Sequence, residues 1–158
     1  MEMKAHGITY LKRDEGLTIR APDGPVTYKV TAGQTGGAYS LFEEAVQPGG
    51  GATPHIHHRE DECFYVVEGE IEFHVDEETV LAGSGSLVYV PRGTVHAYTN
   101  TGTAPARVLD LLTPGGTRER LLEEIGEGED TDDLRDIYSR YGIEMVNPTM
   151  RRDGDSNG

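Results

Sequence analysis

An antiparallel all-β domain followed by two helices is what this sequence predicts, and three observations predict it. Short apolar or alternating segments recur from Ile8 to Thr113, separated by Gly, Pro, Asp and Asn. The 21 glycines and 8 prolines are scattered along the chain, as many tight turns require. The 158 residues suit one domain with a real core, and 35% hydrophobic against 27% charged residues is a globular balance.

Strands are expected at Ile8–Leu11, Leu17–Arg20, Val26–Val30, Ala38–Val46, Glu62–Val67, Glu70–Val75, Thr79–Leu81, Ser86–Val90, Val95–Thr99 and Ala106–Thr113. The clearest is Glu70–Val75, with Ile71, Phe73 and Val75 on one face and Glu70, Glu72 and His74 on the other. Glu68-Gly69-Glu70 reads as a hairpin turn into it. Pro114-Gly115-Gly116-Thr117 breaks the strand pattern, and Arg118–Ile125 follows with Leu121, Leu122 and Ile125 at helical spacing. A second helix is expected over Asp132–Tyr141, with Gly142 as its stop. The chain therefore divides into N-terminal strands and arm (1–35), a barrel (36–113), C-terminal helices (114–146) and a polar, disordered tail (147–158).

The net charge of −14 disfavours nucleic-acid and membrane-surface partners, because an acidic surface repels phosphates. Only Lys4, Lys12 and Lys29 are lysines. Solubility accounts for the acidity, and so would a high-salt cytoplasm, where a Lys-poor, Asp/Glu-rich surface stays hydrated. Cys63 is the single cysteine, which excludes an internal disulfide and a multi-cysteine zinc site. Met1–Leu17 lacks the apolar core of a secretory signal, and no run approaches the ~20 residues of a membrane span. A soluble cytoplasmic protein is the expectation.

The chemistry is concentrated in histidines. In a strand, the i, i+2 pair His55 and His57 points both rings to one face. Glu62 opens the next apolar stretch on the face of Phe64 and Val66, a costly place for a carboxylate unless a cation compensates it. His96 shares a face with Tyr98. Three imidazoles and a carboxylate suit one divalent transition metal per chain: Fe, Mn, Co, Ni, Cu or Zn. His58 points away from this pair, His74 lies on the polar face of its strand, and His6 carries no signal. Cys63 faces away from Glu62 and reads as sheet packing, not as a nucleophile. Phe64, Phe73 and Tyr98 are candidate substrate-pocket residues, with core packing the competing role for each.

These residues carry a resemblance. Gly49, His55-x-His57, Glu62 and Gly69, with intervals of five, four and six residues, resemble the first cupin motif. Gly85, Pro91-x-Gly93, His96 and Asn100, with intervals of five, two and three, resemble the second. The resemblance implies a single-domain cupin: a small antiparallel jelly-roll barrel with His55, His57, Glu62 and His96 as metal ligands. The glycines, Pro91 and Asn100 match turn positions. The stretch Pro114–Gly126 also resembles the segment after the barrel in small bacterial quercetin-dioxygenase-like cupins. That closer resemblance implies a dioxygenase acting on an enolisable or phenolic, flavonol-like small molecule, with dioxygen as co-substrate and Glu62 as both ligand and catalytic base. Two other readings stay open: a metal-dependent isomerase, epimerase or cyclase, and a non-catalytic small-molecule-binding cupin. A homodimer is also implied by resemblance.

Overall fold

The computed structural model describes residues 7–21, 23–126 and 134–146. Eleven strands and three helices follow in chain order among the described residues: β1 (Leu17–Ala21), β2 (Gly24–Val30), α1 (Ala32–Thr35), β3 (Ser40–Val46), β4 (Gly51–His57), β5 (Asp61–Glu68), β6 (Glu70–Val75), β7 (Glu78–Gly83), β8 (Leu87–Val90), β9 (His96–Thr99), β10 (Ala106–Thr113), α2 (Thr117–Ile125), α3 (Leu134–Arg140) and β11 (Ile143–Met145). They form two antiparallel sheets, ordered β1-β2-β3-β10-β5-β8 and β11-β4-β9-β6-β7. The expected closed barrel is thus a jelly-roll pair of facing sheets, with no hydrogen-bonded seam between them among the described residues.

Alternation places the core. β3 and β10 bury every second residue, which turns Phe42, Val46, Ala106, Val108 and Leu112 inward. Phe64 and Val66 of one sheet meet Ile71, Phe73 and Tyr98 of the other in the main cluster. The same alternation forces three carboxyls inward, Glu44, Glu62 and Asp110. A second cluster joins Tyr28, Phe42 and Leu112 to Leu122 of α2. A third packs Leu121 and Ile125 of α2 against Ile137 of α3 and Ile143 of β11.

Several expectations change. Ile8–Leu11 forms no strand, and Ile8 and Tyr10 are exposed because no neighbouring strand covers them. Glu68-Gly69-Glu70 is a corner and not a hairpin: β5 pairs with β10 and β8, whereas β6 pairs with β7 and β9. Gly69 has φ 85° there, and a Cβ would meet Ala106 Cβ at 2.9 Å. The expected N-terminal strands Leu17–Arg20 and Val26–Val30 are β1 and β2, which extend the six-stranded sheet beside β3. β4 runs through Pro54 in the interior of its sheet, and its register with β9 shifts between Ala52 and His55, the kind of irregularity that lets a proline in. The second helix is described only from Leu134, and the tail 147–158 lies outside the described residues. α2 and α3 lie over the mouth of the barrel, and β11, which the sequence reading did not separate from the helices, adds to β4 with Ile143 opposite His57 and Met145 opposite His55. No helix among the described residues is long and apolar enough to cross a membrane.

Candidate metal centre

β4 carries His55 and His57, β5 opens with Asp61 and Glu62, and β9 begins at His96. The β4–β9 ladder sets His55 directly opposite His96. Gly51 makes this pairing possible: at φ 146° its missing Cβ would fall 1.9 Å from Tyr98 O. One ligand atom from each of His55, His57, Glu62 and His96 lies within 4.8 Å of the others. Glu62 Oε2 is 2.7 Å from His96 Nε2 and 3.3 Å from His57 Nε2.

The ring orientations fit a metal. His55 Nδ1 donates to Thr53 O at 2.8 Å, and His96 Nδ1 donates to Thr94 O at 3.0 Å. A carbonyl only accepts, so each Nδ1 holds a proton; His55 Nε2 is left as a lone pair, while His96 Nε2, 2.7 Å from Glu62 Oε2, donates to that carboxylate and would give up its proton to an ion. His57 Nδ1 instead meets the side chain of Glu60, 3.4 Å away. Burial, helped by the neighbouring His96, pushes the His55 imidazole down to about 4, which keeps it neutral as a ligand must be. Burial would raise Glu62, but the three imidazoles, His57 first, hold it below the usual carboxylate range. Burial opposes the charged form of His96, yet its bond to Glu62 raises that ring overall. Three neutral-capable nitrogens and one carboxylate are a suitable donor set for a divalent ion.

A cavity of about 440 Å³ opens onto His55, His57 and Glu62. Its far walls come from the C-terminal elements: Leu121 and Leu122 of α2, Leu134 and Tyr138 of α3, Ile143 and Met145 of β11. Its polar side is a buried cluster. Arg118, from the first turn of α2, pairs with both Glu44 and Asp110, and Tyr98 OH donates to Glu44. The guanidinium also lies over the Phe42 ring at 5.1 Å. Burial, then the nearby Glu62, pushes Asp110 well above the usual carboxylate range, and burial with Glu44 does the same to the Tyr98 phenol.

The structure therefore brings together the four residues read as metal ligands. Of the candidate pocket residues, Tyr98 lines the cavity. Phe64 and Phe73 correct that expectation: their rings pack 5.1 Å apart in the core. His58 pairs at the surface with Glu144, His74 sits between Glu72 and Thr79, and Cys63 is partly exposed. Asn100 ties its turn, donating to Val46 O and Ala104 O and accepting from Gly102 N. Glu44, Glu60, Asp110 and Arg118 were missed. Only the parity of Glu44 and Asp110 within apolar strands signalled inward carboxyls.

Comparison with known proteins agrees with this geometry. The cupin domain family matches residues 42–112. An uncharacterised protein of Methanocaldococcus jannaschii is 31% identical over 110 residues, 70% of this chain and 82% of its own. The chain belongs to the cupin superfamily. This cupin is also 33% identical over 91 residues to the tetracenomycin polyketide synthase protein TcmJ of Streptomyces glaucescens, covering 58% of this chain and 60% of TcmJ. It matches the alginate biosynthesis protein AlgA of Pseudomonas aeruginosa at 27% over 105 residues, 66% of this chain but only 20% of AlgA. Among solved structures, KdgF from Halomonas sp. aligns with TM-score 0.62 at 20% identity, over 72% of this chain and 98% of KdgF. The polyketide cyclase RemF from Streptomyces resistomycificus aligns with TM-score 0.58 at 23% identity, over 68% and 80%. These two likenesses concern the fold.

Proposed function

We propose that this cupin is a metal-dependent enzyme acting on an uncharged, enolisable or phenolic small molecule, with dioxygen as co-substrate in the manner of a flavonol dioxygenase. The observation that carries this reading is the cavity: it opens onto three of the four ligand residues, its far walls are largely the apolar side chains of α2 and β11 with the exposed Asp23 and Arg135 also lining it, and its one buried guanidinium is already paired with two carboxyl groups. Apart from a metal ion and the exposed Arg135, a phosphate or sugar acid entering it would meet the carboxyl groups of Glu44, Glu62 and Asp110 with no unpaired buried cation to receive it. A flat aromatic molecule would lie against Leu121, Leu122, Ile143 and Met145.

His55, His57, Glu62 and His96 would hold a divalent ion, which would supply Lewis acidity toward a substrate oxygen. The chain's own residues do the rest. Glu62, kept ionised by its imidazoles, accepts the proton of the substrate hydroxyl through a carboxylate oxygen. Thr53 and Thr94 carbonyls keep two imidazoles in the donor tautomer throughout. The lid of α2, α3 and β11 limits water at the deprotonated substrate.

A second reading, a cyclase or isomerase without oxygen chemistry, is supported by the likeness to TcmJ, a polyketide synthase protein. An oxygen electrode with quercetin as probe, run on chain loaded separately with Fe, Mn, Co, Ni, Cu and Zn, distinguishes the two. Oxygen uptake matched to substrate loss is the expected result. Substrate turnover without uptake would move the assignment to the cyclase class, and tight binding without turnover would move it to a binding protein.

A further inference from the structure

Glu60 lies in the turn between β4 and β5, after the exposed His58 and Arg59, yet it is only 1% exposed. One oxygen, Oε2, sits 3.4 Å from His57 Nδ1. The other, Oε1, has no hydrogen-bond partner among the described residues. The Arg92 guanidinium is bonded to Asp61 instead. A surface turn would ordinarily direct a glutamate to water, because burying a carboxylate with so little compensation is unfavourable.

The three imidazoles differ in this respect. His55 and His96 are held by backbone carbonyls, which the fold fixes. His57 alone is held by a side chain. We infer that Glu60 is a positioning residue for His57, accepting its Nδ1–H so that Nε2 faces the ion as a lone pair. The inference rests on the reading that His55, His57, Glu62 and His96 hold a divalent cation. An ion on Nε2 draws electron density from the ring, makes Nδ1–H a stronger donor, and places positive charge across the imidazole from Glu60. The buried carboxylate is then compensated in the loaded protein and poorly compensated in the empty one. Metal affinity and stability of the empty protein should therefore respond to Glu60 with opposite signs.

The test uses the full chain with Co(II), its affinity measured by chelator competition, in wild type, Glu60→Gln and Glu60→Ala. Loss of such a partner is expected to weaken binding about 10-fold for Gln, whose amide oxygen still accepts, and up to about 100-fold for Ala. The visible bands of bound Co(II) should shift in both variants. The melting temperature of the metal-free variants should equal or exceed that of metal-free wild type. Affinity within about threefold of wild type in both variants would overturn the inference. So would a metal-free melting temperature that falls together with affinity, because Glu60 would then be ordinary packing. Failure of wild type itself to bind Co(II) overturns the metal site first and this inference with it, and is seen before any variant is made.

Discussion

At the cavity floor, the three imidazoles come from the adjoining strands β4 and β9, Glu62 faces them from β5 of the other sheet, and two of the imidazoles are oriented by main-chain carbonyls. At the roof, separate elements are joined by side chains: Arg118 of α2 reaches Glu44 of β3 and Asp110 of β10, and β11 adds only a three-residue ladder to β4. The floor is thus oriented by the fold of the sheets, whereas the roof depends on a few buried charges. Metal binding and overall stability should be separable: floor variants should lose the ion without unfolding, and roof variants should lose stability while keeping it.

The largest effect is expected at the floor. His57→Ala with His96→Ala removes two of four ligands, and stoichiometric metal should vanish from the purified chain by elemental analysis. Far-ultraviolet circular dichroism should stay strand-dominated. Metal retained at one ion per chain would refute the site.

The roof gives the next largest effect. Arg118→Ala leaves Glu44 and Asp110 buried without their cation, a change worth about 3–5 kcal/mol. For a chain of this size the melting temperature should fall by roughly 10 °C or more. Co(II) affinity of the folded variant should change only a few-fold. Combining Arg118→Met with Glu44→Gln and Asp110→Asn should recover most of the loss, because no unpaired charge remains. Metal affinity that collapses with stability in Arg118→Ala would mean that floor and roof are one unit.

This contrast also explains what could be read from the chain. Periodicity put His55 and His57 on one face, and the motif spacing added Glu62 and His96; the structure brings Glu62 in from the facing sheet, since β5 pairs with β10 and β8 whereas β4 pairs with β9. β5 and β6 were legible as strands, but their pairing was not: Gly69 turns a corner between sheets, and corner and hairpin share the same local signature. Arg118 read only as the first residue of a helix. Its burial depends on where α2 lands, and Gly115 permits that landing, since a Cβ there would lie 2.4 Å from Tyr39 C. Phe64 and Phe73 alternate inward as expected, yet inward in a two-sheet sandwich means core for them and cavity for Tyr98. Strand parity does not encode that depth.

Within the floor, Glu62 separates binding from catalysis. Glu62→Gln should keep much of the metal through its amide oxygen, while turnover falls by ~10²-fold or more, the usual scale for losing a general base. His58→Ala should be nearly silent, since that ring pairs with Glu144 at the surface. Metal retention with full turnover in Glu62→Gln would remove the proton-transfer role and favour Lewis-acid or binding function.

The smallest effect again sets barrel against lid, at alkaline pH. Burial, then Glu119, pushes the Tyr28 phenol up to about 12 on the sheet side, and burial, then Asp23, does the same to Tyr138 in the lid. An unfolded tyrosine ionises near pH 10, whereas these hold their protons toward 12 when folded. Their contribution to stability is therefore complete below pH 10 and is lost as the pH rises through 12. Allowing for solvent screening, each is worth on the order of 1 kcal/mol, or about 2–4 °C in melting temperature. Tyr138→Phe and Tyr28→Phe should each flatten the fall in melting temperature between pH 10 and 12. At pH 7, Tyr28→Phe should cost little, because it removes a buried hydroxyl with no hydrogen-bond partner among the described residues. An identical alkaline fall in both variants and wild type would show that these two phenols are not what the rising pH destabilises.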